Sequence, residues 1–247
     1  MTAPAPDIVI LGHHKIGPIP ENGWKSWYYV PEETFALQLQ LLKDRGYAFL
    51  TLEAFLHGLS HPETFPAKGV LITFDDGYRS LLRHALPPMQ AVGAPGVVFV
   101  PTDWVGKNND FDLGVEPPEA IATWEELAAM EKGGLAVQSH GRTHRGLSTL
   151  APADLREEIE DSKKEIEERL GRPVAFFSFP FGDNAAERGH DSPVIEALLR
   201  ESGYRAACVY GGDPVPLDLS HPYRLTRIAM GEDTDLAKAL DSRPISR

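Results

Sequence analysis

Short apolar, β-branched runs at residues 8–11, 48–51, 70–74, 97–100, 135–138, 175–179, 206–209 and 225–229 alternate with segments of helical character, and few architectures tolerate that rhythm. Within the runs polar and apolar residues do not strictly alternate, as expected of parallel strands covered on both faces. The clearest helix is expected over 153–170, where Leu155, Ile159, Ile166 and Leu170 form an apolar stripe. Glu160/Lys164 and Glu165/Arg169 are spaced to pair, Pro152 precedes the stripe and Gly171 follows it. A second helix is expected over 32–45, after Pro31 and before Gly46. Strand–helix units repeated through 247 residues, with no linker or low-complexity stretch between them, predict an α/β barrel in one domain over residues 1–247.

In a parallel barrel, functional groups gather at the C-terminal ends of strands. Three such ends are polar: Asp75-Asp76-Gly77 after the run at 70–74, Ser139-His140 and then His144 after 135–138, and His13-His14 after Gly12. Two adjacent carboxylates at the end of a buried run resist joint ionisation unless a cation compensates. Neighbours in extended chain also point opposite ways, so one can bind a metal while the other serves as a base. A bare Asp-Asp-Gly reads equally well as a helix cap beside a solvated carboxylate, and two histidines four apart are more often surface residues than ligands. Asp76, His140 and His144 taken together make the better case, because three protein ligands with an open position is the pattern of catalytic zinc.

Charge narrows the partner. Thirty-six acidic against 24 basic residues give a net charge of −12, which argues against nucleic acid or an anionic membrane and favours a neutral or cationic substrate. Cys208 is the single cysteine, so an internal disulfide and a cysteine-based metal site are excluded, and a small buried strand residue is expected there. No apolar run approaches the ~20 residues of a membrane span. The first residues show neither a basic segment nor a signal-peptide core, so a cytoplasmic location is expected. Long loops are expected at 17–23, 103–118 and 182–192, with substrate selection chiefly at 107–118 and 183–190. Trp104 lies in one of them as a candidate sugar contact, whereas Trp124 reads as a core residue at a helix start.

Thr73-Phe74-Asp75-Asp76-Gly77-Tyr78, Ser139-His140-Gly141-Arg142-Thr143-His144 with Leu147 and Leu150, and Phe179-Pro180-Phe181-Gly182 resemble the leading motifs of the polysaccharide deacetylase family. This is carbohydrate esterase family four, the NodB homology domain. Pro31-Glu32-Glu33-Thr34-Phe35, Trp124-Glu125-Glu126-Leu127 and Tyr223-Arg224-Leu225-Thr226-Arg227-Ile228 carry the resemblance through nearly the whole chain. They look most like the branch that includes poly-N-acetylglucosamine deacetylases, whose chain order is permuted.

The resemblance implies a distorted (β/α)7-type barrel, a divalent metal and removal of N-acetyl groups from an N-acetylamino sugar in a poly- or oligosaccharide or glycoconjugate. Carried over by motif, Asp76, His140 and His144 are ligands to the metal, zinc foremost with cobalt or nickel as alternatives. Asp75 is the general base, and the backbone N–H of Phe181 a donor to the oxyanion. The late histidine of other members is absent from Leu225-Thr226-Arg227-Ile228-Ala229-Met230, and His14, in His13-His14-Lys15-Ile16, takes the place of the acid in the permuted branch. Ser178 stands where the family has the arginine that holds the base, so Arg227, from a different strand, is the candidate replacement. Two other readings share the motifs: hydrolysis of another acyl or non-sugar amide, such as a formyl group, and a non-catalytic carbohydrate-binding barrel. The presence of all four key residues argues against the last. Oligomeric state is left open.

Overall fold

Every one of the eight apolar runs carries strand in the structure, a computed structural model that describes residues 5–18, 26–182, 192–211, 218 and 220–243. The strands are β1 (Asp7–His13), β2 (Lys15–Ile16), β3 (Tyr29–Val30), β4 (Ala48–Phe49), β5 (Lys68–Phe74), β6 (Gly96–Val100), β7 (Leu135–Ser139), β8 (Phe176–Ser178), β9 (Ala206–Cys208) and β10 (Ile228–Ala229). The main sheet is parallel in the order β10-β1-β5-β6-β7-β8-β9, with β4 joined to β5. β2 and β3 form a small sheet of their own, which the runs did not signal.

The curl nearly closes. Leu225 pairs with Cys208 of β9, while Ile228 and Ala229 pair with Leu11 and Gly12 of β1, so one short, bent segment joins the two edges. On the other side β6 pairs with β5 only at Thr73 and Phe74, because β4 occupies Gly69 and Val70. The result is a distorted α/β barrel, as the resemblance implied.

Side-chain parity then sorts the strand residues into two layers. Ile8, Ile10, Leu71, Val97, Phe99, Phe176, Ala206, Cys208 and Leu225 form the inner cluster, plugged from below by Phe55 and Leu56 of helix α2 (Leu52–Ser60). Val9, Leu11, Val70, Ile72, Val98, Val100 and Phe177 belong to the larger cluster that packs against the helices. Burial of each such side chain is worth about 1.5–3 kcal/mol, and both layers depend on the register. Continued past the strand ends, the inner parity falls on His14, Asp75, His140, Ser178, Tyr210 and Arg227. Gly12 shares it, and a Cβ there would lie 3.2 Å from both Arg227 Nε and the Tyr210 ring, so the glycine leaves room for the arginine to cross the barrel mouth.

Helix α1 (Glu32–Asp44) matches the expected span. The expected helix over 153–170 is there but interrupted: α3 (Pro152–Arg156) passes through a π-helical turn at Glu157–Asp161 into α4 (Ser162–Leu170). The extra residue changes the pairing. Glu160 meets Arg156 rather than Lys164, Lys164 approaches Glu168 at 3.9 Å, and Glu165–Arg169 forms at 3.9 Å as expected. Cys208 is buried in β9, where burial pushes its thiol up to about 12. Among the described residues no helix is long and apolar enough to cross a membrane. Much of the expected loops 17–23 and 182–192 lies outside the described residues.

Candidate active site

The end of β5 separates two neighbouring carboxylates. Asp75 N–H still bonds His13 O at 2.9 Å, continuing the ladder, and then the chain turns through Asp76 at φ 68° and Gly77 at φ 73°. Asp76, His144 (φ 61°) and Phe181 (φ 60°) are the non-glycine residues with positive φ among the described residues, and all three line one cleft. A left-handed backbone costs such residues about 1–3 kcal/mol each and persists where the surroundings over-determine it.

His140 follows β7, its N–H bonded to Val100 O at 3.0 Å. Its Nδ1 lies 2.7 Å from Ser178 O, which can only accept, so Nδ1 carries a proton and Nε2 is the nitrogen left to face the cleft. That Nε2 lies 3.4 Å from Asp76 Oδ1, and His144 Nε2 lies 3.2 Å from the same oxygen. One ligand atom from each of the three buried residues falls within 4.8 Å of the others. Asp76 Oδ1 finds no well-formed hydrogen bond among the described residues. Two imidazoles and a carboxylate converging in this way fit a small divalent metal. Burial alone would raise the Asp76 carboxyl, but His140 and His144 outweigh it and hold the group well below its ordinary range.

Asp75 has the opposite surroundings. Arg227 Nη1 donates to Oδ1 at 2.8 Å and Nη2 to Oδ2 at 2.7 Å, a fork-on-fork pair with both side chains almost wholly buried. Ser178 Oγ adds a bond to Oδ1 at 3.2 Å, and itself accepts from Arg227 Nη2 at 3.1 Å. The guanidinium is further fixed by Val209 O at 2.9 Å and Thr73 Oγ1 at 3.1 Å. Burial pushes the Asp75 carboxyl up, Arg227 with help from His140 and His14 pulls it down, and the net shift is downward.

His14 lines the same cleft, its ring 4.6 Å from those of Tyr28 and Tyr210. Burial lowers its pKa, and the carboxylates of Asp76 and Asp75 offset part of that drop. His13 points into the outer layer between Phe35 and Phe74, each 5.3 Å away, and its burial takes its pKa down to about 3. Phe181 is exposed at the rim, with its ring 4.6 Å from that of His144.

Several cleft residues escaped the sequence reading. The loop at 103–118 contributes Asp112 and Val115, and burial raises the Asp112 carboxyl to about 6, with Asp76 adding to the effect. Buried Lys15 donates to Glu116 Oε2 at 2.7 Å and faces the rings of Tyr29 and Tyr78, which fastens that loop to β2. Tyr210 carried a readable signal, since it lies two residues past Cys208 on the inner parity; the Lys15–Glu116 contact had none. Trp104, a candidate sugar contact, does not line the cleft: its indole N–H bonds Thr143 O at 3.1 Å and its ring packs on Phe111, which lies against His144. The cleft measures about 180 Å³. A larger hollow of about 500 Å³ near Gly134, Arg169 and Arg172 contains none of the candidate residues.

A profile of the polysaccharide deacetylase family matches residues 62–207. The chain belongs to the polysaccharide deacetylase family. It is 28% identical over 153 residues to a Bacillus subtilis (strain 168) protein named as a polysaccharide deacetylase, covering 62% of this chain and 51% of that protein. It is 28% identical over 158 residues to the poly-β-1,6-N-acetyl-D-glucosamine N-deacetylase of Escherichia coli (strain K12), covering 56% of this chain and 24% of that one. The matched stretch thus spans about half, and about a quarter, of these relatives' own lengths. The backbone of this deacetylase-family chain resembles that of the Streptococcus pyogenes deacetylase PplD in complex with acetate, with a TM-score of 0.80 and 22% identity over 99% of this chain and 100% of that one. The likeness shows a shared fold.

Proposed function

We propose that residues 1–247 act as one metal-dependent deacetylase domain that hydrolyses the N-acetyl group of an amino sugar in a poly- or oligosaccharide or glycoconjugate. The observation that carries this reading is the convergence of Asp76, His140 and His144 in the cleft that Asp75 also lines, with Arg227 paired to Asp75 behind it. A relative named for N-acetylglucosamine deacetylation and a fold neighbour in complex with acetate, the acid such a reaction releases, support the acyl group.

Asp76, His140 and His144 would hold the metal, zinc foremost and cobalt or nickel as alternatives. When bound, such an ion supplies Lewis acidity toward the acetamide carbonyl and toward water. Asp75 takes a proton from the attacking water: Arg227 keeps it ionised at neutral pH, and Oδ2, which accepts from Arg227 Nη2 but not from Ser178, retains a lone pair for that proton. His14, in its imidazolium form, gives a proton to the departing amine, and the proton that Asp75 took from water balances the one His14 gives up. Its lowered pKa makes the imidazolium a strong donor, and the two aspartates favour that charged form while it exists. The backbone N–H of Phe181 serves as a donor to the developing oxyanion, and its exposed ring offers a face to a sugar. With a net charge of −12, a neutral acetylated substrate is accommodated better than an anionic one.

A mass-spectrometric screen of N-acetylated oligosaccharides, run on chelator-stripped and zinc-, cobalt- or nickel-restored protein, tests this. Acetyl loss that disappears on stripping and returns with metal is expected. An undiminished rate in fully stripped protein, or release of a different acyl group alone, would overturn it.

A further inference from the structure

The ligand-bearing loop from His140 to His144 has no regular structure of its own, so its backbone N–H groups need partners from elsewhere. Two of them find one on a single turn of helix. Arg142 N–H and Thr143 N–H both donate to Glu158 Oε2, at 2.7 and 2.8 Å. The Thr143 hydroxyl donates to Glu158 Oε1, and Arg145 Nη2 lies 3.4 Å from that same oxygen. Gly141 N–H bonds Ser139 Oγ at 3.1 Å, and Ser139 Oγ meets Ser162 Oγ at 2.8 Å, one turn beyond Glu158.

Glu158 is 1% exposed, and a carboxylate so buried is costly unless hydrogen bonds replace its water. It stands in the π-helical turn, which faces both Glu158 and Ile159 inward. Ile159 O, disturbed by that turn, accepts from Tyr204 Oη at 3.0 Å and Ser162 Oγ at 3.3 Å. Such turns inside α-helices recur at functional sites. The approach is close: a Cβ on Gly141, itself at φ 77°, would lie 3.0 Å from Glu158 Oε2.

We infer that Glu158 is a positioning residue for metal binding, an internal anion that fixes the loop joining the two histidine ligands without touching the metal. Its carboxylate gathers successive amides of that loop, and the π-helical turn exists in a geometry that delivers it. This rests on the proposed metal site. Outer partners of metal ligands affect affinity by about 10- to 100-fold, so the effect belongs in the binding constant.

The test is titration of metal-free protein with cobalt, followed by the visible absorption of the bound ion, with melting of the metal-free forms recorded alongside. Glu158→Ala and Glu158→Asp should weaken cobalt about 10- to 100-fold, and near-normal turnover should return once cobalt is saturating. Glu158→Gln, which keeps an acceptor within reach of both amides, should recover most of the affinity. A folded Glu158→Ala with the wild-type dissociation constant overturns the inference, whatever its melting temperature. Should Glu158→Ala fail to fold, a folded Glu158→Asp with wild-type affinity overturns it equally. If the wild type itself takes no cobalt, the metal reading fails first and the inference falls with it.

Discussion

Asp75 and Asp76 are neighbours, both almost wholly buried, and the protein treats them in opposite ways. Around Asp75 three bonds hold the carboxylate and leave one acceptor position on Oδ2: Arg227 meets both oxygens, Ser178 adds a bond to Oδ1, and Thr73 and Val209 fix the guanidinium behind. Around Asp76 an oxygen is left facing two imidazole nitrogens at 3.4 and 3.2 Å with no well-formed hydrogen bond. Both carboxyls are held below their ordinary pKa against the pull of burial, the first by a fixed guanidinium and the second by the two imidazoles. A balanced, immobile carboxylate is suited to exchanging a proton, and one aimed with two imidazoles at a shared point is suited to ligation. Backbone direction produces the split, since Asp75 extends the inner parity of β5 and Asp76 turns away at φ 68°.

The largest losses should come from the carboxylates themselves. Asp75→Asn and Asp76→Asn should each lower kcat/KM for an N-acetylated oligosaccharide by about 10²- to 10⁴-fold or more, and a value within tenfold of wild type for Asp75→Asn would remove it from the chemistry. His14→Ala should cost about 10²- to 10⁴-fold on a sugar acetamide and much less on an activated aryl acetate ester, whose leaving group needs no proton. His13→Ala, on the outer parity, should be milder on both; the reverse order would place the acid one residue earlier.

Arg227→Met tests the balance around Asp75. Leaving that carboxylate buried without its cation should destabilise the fold by about 3–5 kcal/mol in chemical denaturation. With Arg227 gone, burial remains and raises the Asp75 pKa, so the acid limb of the pH–rate profile should move to higher pH. An unmoved limb would make Arg227 purely structural. Ser178→Ala removes two supplementary bonds, the one to Asp75 and the one from Arg227, and about 1–2 kcal/mol of stability should go with them. A change as large as that of Arg227→Met would mean that the serine, not the arginine, dominates the Asp75 environment.

Much of this architecture was legible because strands announce themselves over short distances. Parity alone places His14 inside and His13 outside, and puts Arg227 on the same inner face as Asp75. The link between that arginine and the base emerged only by noticing that Ser178 stands where a charge was expected. Glu158 gives no signal in the sequence because it flanks an amphipathic stripe, where a glutamate ordinarily faces water. The π-helical turn escaped for a related reason, since a stripe of Leu155, Ile159, Ile166 and Leu170 tolerates one inserted residue without losing its apolar face. Contacts between residues far apart in sequence, such as Lys15–Glu116, leave no spacing to read at all.

Metal content separates the two aspartates where activity does not. Zinc-loaded wild type, Asp75→Asn and Asp76→Asn, freed of excess ion and measured by atomic emission, give the direct comparison. The expected result is wild-type zinc in Asp75→Asn with turnover lost, and depleted zinc in Asp76→Asn; zinc lost from Asp75→Asn and retained in Asp76→Asn would contradict the assignment of base and ligand.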